Sequence, residues 1–194
     1  MDRSVENARD QALVTAARSG ELEAFNQLVV LYQDYLYAMT VRVMRDPDVA
    51  EEAVQEAFFS AYRNIDRFSG PSFRAWLTRI AINAARDILR KRKRRPSEPY
   101  PEWEDDAWQP PAPASEGPEQ VSLAQQQRRA IARCLEGIND DQRAAIVLYD
   151  VQGYDYGEIA AIASVSVGTI KSRIHRGRLA LRDCLGPAME LFRG

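Results

Sequence analysis

The chain has 194 residues, enough for one domain or two small ones, and its 45% hydrophobic content can build cores. One histidine and two cysteines, Cys134 and Cys184, leave no cluster for a metal site or for triad chemistry. At no paired spacing, the cysteines read as buried small hydrophobes. The formal charge of −2 conceals a division: 16 bases and 13 acids in residues 1–95 (+3), 7 acids and no base in 96–127 (−7), 10 bases and 8 acids in 128–194 (+2). The start of the chain is polar, and no apolar run suits a signal peptide or a membrane span, so a reducing, cytoplasmic setting is the default expectation.

In chain order, 8–18 and 21–45 read as helices. In the second, Phe25, Leu28, Val29, Tyr32, Leu36 and Met39 recur at three- and four-residue intervals. Asp46-Pro47 starts a third helix, a capping acid ahead of proline at the first helical position. Val49, Ala53, Ala57, Phe58 and Ala61 can face inward from it. Asp48, Glu51, Glu52, Gln55 and Glu56 form an acidic surface on its first half. This helix ends near Ile65, and 66–72 is a loop punctuated by Gly70 and Pro71. A fourth helix from Phe73 to about Arg92 carries Trp76, Leu77, Ile80, Ala84, Ile88 and Leu89 on one face. Arg74, Arg79, Asn83, Arg86 and Asp87 lie on the other. It closes in six consecutive cations, Arg90 to Arg95. That run suits phosphate contact, a solvated helix end, or a helix C-terminus complemented by positive charge.

Residues 96–120 hold most of the ten prolines, no base and no helix core. They read as an extended, self-repelling linker. Trp103 and Trp108 within it are either incidental or docking points on a basic channel. Helices resume at 121–137, with Ala130, Ile131, Cys134 and Leu135, and again after Asn139, ending at Gly153. No strand or hairpin pattern occurs, so the fold class is all-α: two small helical domains, 1–95 and 121–194, about an acidic, proline-rich linker, 96–120.

Residues 155–185 read as two helices and a tight turn. Asp155 with Glu158 has capping-box spacing, and Ser166 suits the N-cap of the second helix. There Ile170, Ile174, Leu181 and Leu185 lie near one line at 3.6 residues per turn and require a core. Thr169, Lys171, Ser172, Arg173, His175 and Arg176 occupy the polar front and its edges. An apolar back with a cationic, hydrogen-bonding front is what a helix-turn-helix sets into a DNA major groove. There Arg or Lys bonds guanine O6 and N7 or neutralises phosphate. A solvated basic face on a bundle helix is the bland alternative.

In DPDVAEEAVQEAFFSAYRNIDRF, SFRAWLTRIAINAARDILRKRKRRP and DDQRAAIVLYDVQGYDYGEIAAIASVSVGTIKSRIHRGRLALRD, in that order, the sequence resembles the extracytoplasmic-function (ECF) sigma factors of bacterial RNA polymerase. The likeness covers nearly the whole chain. It departs in a loop at Ser69–Ser72 one residue shorter than in many members, and in Gly157 where a bulkier polar residue is more usual. The resemblance implies that Asp48, Glu51, Glu52, Gln55 and Glu56 bind the coiled coil of the largest polymerase subunit. It implies that Asp66, Arg67, Phe68, Ser69, Gly70 and Ser72, with Arg79, Asn83, Arg86, Arg90 and Lys91, engage the single-stranded −10 element. Thr169, Lys171, Ser172, Arg173, His175 and Arg176 would read the −35 duplex. Core RNA polymerase, promoter DNA and an anti-sigma factor are the implied partners. No cofactor, metal or catalytic residue is implied.

Such a protein makes no bonds. It acts by binding single-stranded −10 DNA better than duplex, which favours strand opening. Two weak DNA contacts joined through polymerase become selective through effective concentration. A stand-alone helix-turn-helix regulator of duplex operators explains 155–185 but not the basic fourth helix or the acidic linker. A nuclease would need a cluster of inward carboxylates, which the sequence lacks.

Overall fold

The computed structural model describes residues 3–94, 118–186 and 188, and there is no strand among them. The described helices are α1 (Arg3–Arg18), α2 (Leu22–Met44), α3 (Pro47–Arg63), α4 (Phe73–Arg94), α5 (Pro118–Glu136), α6 (Asp140–Ile146), α7 (Tyr156–Ala163) and α8 (Val167–Leu185). A 3-10 turn, Ile65–Arg67, precedes the loop before α4, and a π-helical stretch, Val147–Val151, continues α6. The linker from 96 to 117, with Trp103 and Trp108, lies outside the described residues, as does Arg95. By compactness the described residues divide into 3–94 with 157–165, and 118–156 with 166–186.

In the first unit, helix starts and stops follow from local chemistry. The Asp46 carboxylate accepts from the Val49 amide at 2.9 Å, satisfying an orphan donor of α3, and Pro47 stands at its first position. α2 stops at Arg45, which adopts the left-handed conformation (φ 60°) and returns its amide to the Val41 carbonyl at 2.7 Å. Ser72 Oγ accepts from the Ala75 amide at 3.2 Å and opens α4. Ala50, Ala53, Ala57 and Ala61 are fully buried along α3. Small side chains on that face let α4 approach closely with its own Ala81 and Ala85, also fully buried. Leu28, Leu36, Met39, Phe73 and Leu77 fill the core. At about 1.5–3 kcal/mol each, their burial is the main favourable contribution of the unit. Phe58, expected inward, is only half-buried.

Asp10 of α1 is buried. It accepts from the Tyr32 hydroxyl of α2 and from Arg9 at 3.1 Å. Burial first, then this bond to Asp10, raises the pKa of the Tyr32 hydroxyl above its usual value.

In the second unit, the Asn139 side-chain Oδ1 caps α6 by accepting from the Asp141 amide at 3.0 Å. Arg143 is buried and donates to the carbonyls of Leu135 (3.5 Å) and Ile138 (3.1 Å) and to Asp140 (2.7 Å). It thereby satisfies carbonyls left open where α5 ends. α6 and α8 pack so closely that a Cβ built on Gly177 would lie 2.5 Å from Ile146 Cδ1.

The cysteines depart from expectation. Cys134 is buried, but Cys184 is exposed, and the two form a disulfide between α5 and α8 across a sequence separation of 50. Their pairing is set by where two helices end, which spacing does not reveal.

Candidate polymerase and nucleic-acid surfaces

The exposed face of α3 carries Glu51, Glu52, Gln55 and Glu56, with Asp48 half-buried at its start. This face is partly compensated from within. Arg92 of α4 reaches Asp46 at 3.3 Å and Glu52 at 3.4 Å; Arg63 lies 3.7 Å from Glu56, and Gln55 donates to Glu51 at 3.4 Å. These pairs are solvent-exposed or half-exposed, so each contributes little to stability and remains open to exchange with an incoming cation. Phe59 (63% exposed) and Tyr62 (48% exposed) continue the surface one and two turns on. Sequence reasoning passed over them because a search for charge skips an aromatic at the correct helical spacing. The exposed large hydrophobic is the signal that could have found them.

Arg79, Asn83, Arg86 and Arg90 fall on one line of α4 at 3.6 residues per turn. Arg79, Asn83 and Arg90 are exposed and Arg86 is half-buried; Lys91 is exposed to one side. Arg79 donates to Ser164 Oγ at 3.3 Å, and Arg90 pairs with Asp87. The cationic run is therefore not uniform: Arg92 is turned back to clasp α3, while Lys91, Lys93 and Arg94 face solvent.

The loop before α4 is anchored to α1. Gln11 donates to the Gly70 carbonyl at 3.1 Å, and Arg18 donates to the carbonyls of Ile65 (3.1 Å) and Phe68. Asp66, Arg67 and Ser69 are exposed, and Gly70 and Ser72 half-buried. Phe68, expected at the −10 surface, is placed differently from its loop neighbours. It is 3% exposed and sits among Phe73 and Trp76, ring centroids 5.7 and 5.3 Å away. An aromatic so buried supports the loop from within, and in this structure it offers no exposed ring face. Trp76 is half-buried in the same cluster, 5.7 Å from Phe73.

Helix α7 ends at a tight turn in which Ser164 takes the left-handed conformation (φ 55°) and the Val165 amide bonds the Ala160 carbonyl at 3.1 Å. Ser166 then caps α8, accepting from the Thr169 amide at 3.1 Å. Ile170 and Ile174 are buried as expected, whereas Leu181 and Leu185 are half-buried. On the front, Lys171, Ser172, His175 and Arg176 are exposed, and Thr169 and Arg173 half-buried.

The cations of α8 are sorted by their neighbours. Arg173 is paired with Asp141 of α6, and Arg178 with Asp150, through Nε at 3.2 Å and through a second nitrogen. That bond to Asp150 raises the pKa of Arg178 further. Arg178 also lies over the Tyr149 ring at 5.2 Å; Tyr149 stacks on Tyr156 with centroids 4.7 Å apart, and Lys171 stands 5.8 Å from Tyr156. His175 and Arg176 have no acidic partner among the described residues. An open hollow of about 480 Å³ beside the start of α8 is lined by Thr169, Ser172, Arg173 and Arg176, and also by Gln142, Ser166 and Gly168. Gln142 comes from another helix, so no pattern within 155–185 could expose it. Among the described residues, no group of three or more His, Cys, Asp or Glu side chains could hold a metal. Nor is any described helix long and apolar enough to cross a membrane.

Residues 28–95 match the family model Sigma-70 region 2, and residues 128–181 match Sigma-70, region 4. The chain is 39% identical over 193 residues to the ECF RNA polymerase sigma-E factor of Escherichia coli K12, covering 95% of this chain and 98% of that one. The chain belongs to the ECF sigma factors. This sigma factor is also 35% identical to the RNA polymerase sigma-H factor of Pseudomonas aeruginosa, over 94% of its own length and 96% of the relative's. Among solved structures it is similar to CnrH in complex with the cytosolic domain of CnrY (27% identity, TM-score 0.63, covering 92% of this chain and 98% of that one). It is likewise similar to RpoE of Bartonella quintana in complex with the anti-sigma factor NepR (29% identity, TM-score 0.65, covering 84% and 96%). The chain is thus an RNA polymerase sigma factor, all-α, carrying regions 2 and 4 on either side of the linker.

Proposed function

We propose that this sigma factor works in the cytoplasm as a non-catalytic initiation factor with three surfaces, on domains 1–95 and 121–194 tethered by 96–120. The outer face of α3, from Asp48 through Glu51, Glu52, Gln55 and Glu56, docks on a cationic helical element of core polymerase. Carboxylates and an amide suit Arg-rich partners, and Phe59 and Tyr62 add apolar contact beside them. The anchored loop at Asp66, Arg67, Ser69, Gly70 and Ser72 takes the single-stranded −10 element. Asn83 bonds a base edge there, and Arg79, Arg86, Arg90 and Lys91 follow the backbone. The front of α8 reads the −35 duplex. Arg176 and His175 are free to enter the groove, Arg173 is held ready by Asp141, and Thr169, Lys171 and Ser172 complete the contact.

The observation that carries this reading is the exposed, acid-free front at His175 and Arg176 on a helix whose back is buried at Ile170 and Ile174. Binding energy for the opened strand, absent for duplex, shifts the promoter toward melting. The two structural neighbours are bound to CnrY and to the anti-sigma factor NepR. An anti-sigma partner for this chain belongs to the same proposal. The test is transcription in vitro with core polymerase on a promoter library. Start-site selection that appears with the chain, and disappears when either element is scrambled, supports the reading. Operator binding with no polymerase contact replaces it with a stand-alone regulator.

A further inference from the structure

The chain's two cysteines lie in none of the three surfaces proposed above, yet the structure joins them. Cys134 stands in the last turn of α5 and is 7% exposed; Cys184 stands in the last turn of α8 and is open to solvent. Their Cα atoms are 5.7 Å apart, within ordinary bridging range. The bond spans α6, α7 and nearly all of α8. α8 packs against α6, most closely at Gly177, and its Ile170 and Ile174 are buried. Beyond Gly177 that support thins: Leu181 and Leu185 are half-buried, and Arg182 and Asp183 are exposed and paired with each other. The covalent link therefore falls in a part of the helix that is less buried than the stretch around Ile170, Ile174 and Gly177, and it joins that part to α5, on which α8 also packs.

We propose that Cys134 and Cys184 form a reversible oxidation site. A low-molecular-weight disulfide of the oxidised-glutathione class closes it, and closure ties the end of α8 to α5. The difference in exposure orders the steps. Cys184, as thiolate, attacks the small disulfide, forms a mixed disulfide and releases one thiol. Cys134 then attacks the Cys184 sulfur and releases the second. The protein loses two hydrogens and the small disulfide gains them, so the exchange balances without another reactant. In a reducing cytoplasm the pair rests open, and an oxidising shift closes it. Closure restricts the unfolded chain over a long loop and holds the end of the reading helix. The effect on promoter reading rests on the assignment of α8 to the −35 duplex; bond formation does not.

The test uses the full chain in reduced and oxidised glutathione mixtures, with free thiols counted by alkylation and mass. Both thiols should disappear together within one chain. The melting temperature of the C-terminal unit should be higher in the oxidised form by about 10 °C or more. Cys134→Ser should accumulate a glutathione adduct at Cys184, whereas Cys184→Ser, at an exposed position that tolerates serine, should resist modification and lose the melting shift. Oxidised protein should bind −35 duplex more tightly than reduced protein, and the double serine variant should bind alike in both buffers. Two thiols persisting at every ratio, a disulfide between chains, an unchanged melting temperature, or equal duplex affinity in the two states overturns the proposal. If duplex binding is absent from both states, the −35 assignment fails, while thiol count and melting still decide the pair.

Discussion

Gly177→Ala tests whether α8 is seated by close approach. In an exposed helix interior the change would stabilise by about 0.5–1 kcal/mol, because alanine loses less backbone entropy. Here the new Cβ would lie 2.5 Å from Ile146 Cδ1 and 3.3 Å from both Ile146 Cγ1 and Gln142 Cβ. Carbon pairs rest at about 3.5–4.0 Å, so the Cδ1 overlap exceeds about 1 Å. Ile146 is 4% exposed and has little room to move. Turning it off its rotamer costs about 0.5–1.5 kcal/mol, and residual overpacking about 1–3 kcal/mol. Against the helix gain, we expect net destabilisation of about 0.5–4 kcal/mol, a fall in melting temperature of about 2–32 °C for a unit this size. Denaturation followed by circular dichroism measures it. Ile146→Val supplies the control by removing Cδ1. Alone it should cost about 0.5–1.5 kcal/mol; on top of Gly177→Ala it should cost nothing or restore stability. The same cycle should appear in −35 affinity, because α6 sets the seat of α8. A stabilised Gly177→Ala, with the two changes additive, would refute the reasoning.

The remaining expectations concern the two proposed DNA surfaces, the proposed polymerase face and the core. Glu52→Lys with Glu56→Lys should abolish capture by core polymerase in a pull-down while leaving the helical spectrum intact, and undiminished capture removes the α3 face from the interface. Arg176→Ala should cost about 1–3 kcal/mol of −35 binding and relax preference at one base pair, if the contact is bidentate to guanine. Arg173→Ala should weaken all sequences more evenly, because Asp141 already holds that guanidinium; a salt titration of binding separates the two. Tyr32→Phe leaves buried Asp10 one donor short and should cost about 1–3 kcal/mol at neutral pH. Since folding raises the Tyr32 pKa, its stabilisation is fully present below the ordinary tyrosine value of about 10 and is lost as pH rises beyond it. The variant's alkaline limb should be flatter, and parallel limbs would exclude the linkage.

Much of this was legible without coordinates, since helix starts and faces are local matters. Asp46-Pro47, Asn139 and Ser166 announce helix starts because an unpaired amide needs an acceptor within a few residues. The line of Ile170 and Ile174 announces a buried back because 3.6 residues complete a turn. The exposed front at Lys171, Ser172, His175 and Arg176 follows from the same period.

What stayed hidden was every pairing between helices. Phe68 has the sequence position of a loop residue, and only its packing on Phe73 and Trp76 turns it inward. Arg92 is indistinguishable in sequence from Lys91 and Lys93 until α3 brings Asp46 and Glu52 to it. Cys134 and Cys184 meet because two helices end side by side, and Gln142 joins the hollow beside α8 because α6 runs past it. Local chemistry along the chain determined which segments are helical and which faces are apolar, acidic or cationic. The tertiary structure alone decided which charges are already spent on one another, which aromatic is buried and which thiols can bond, because distances across space are not a function of separation along the chain.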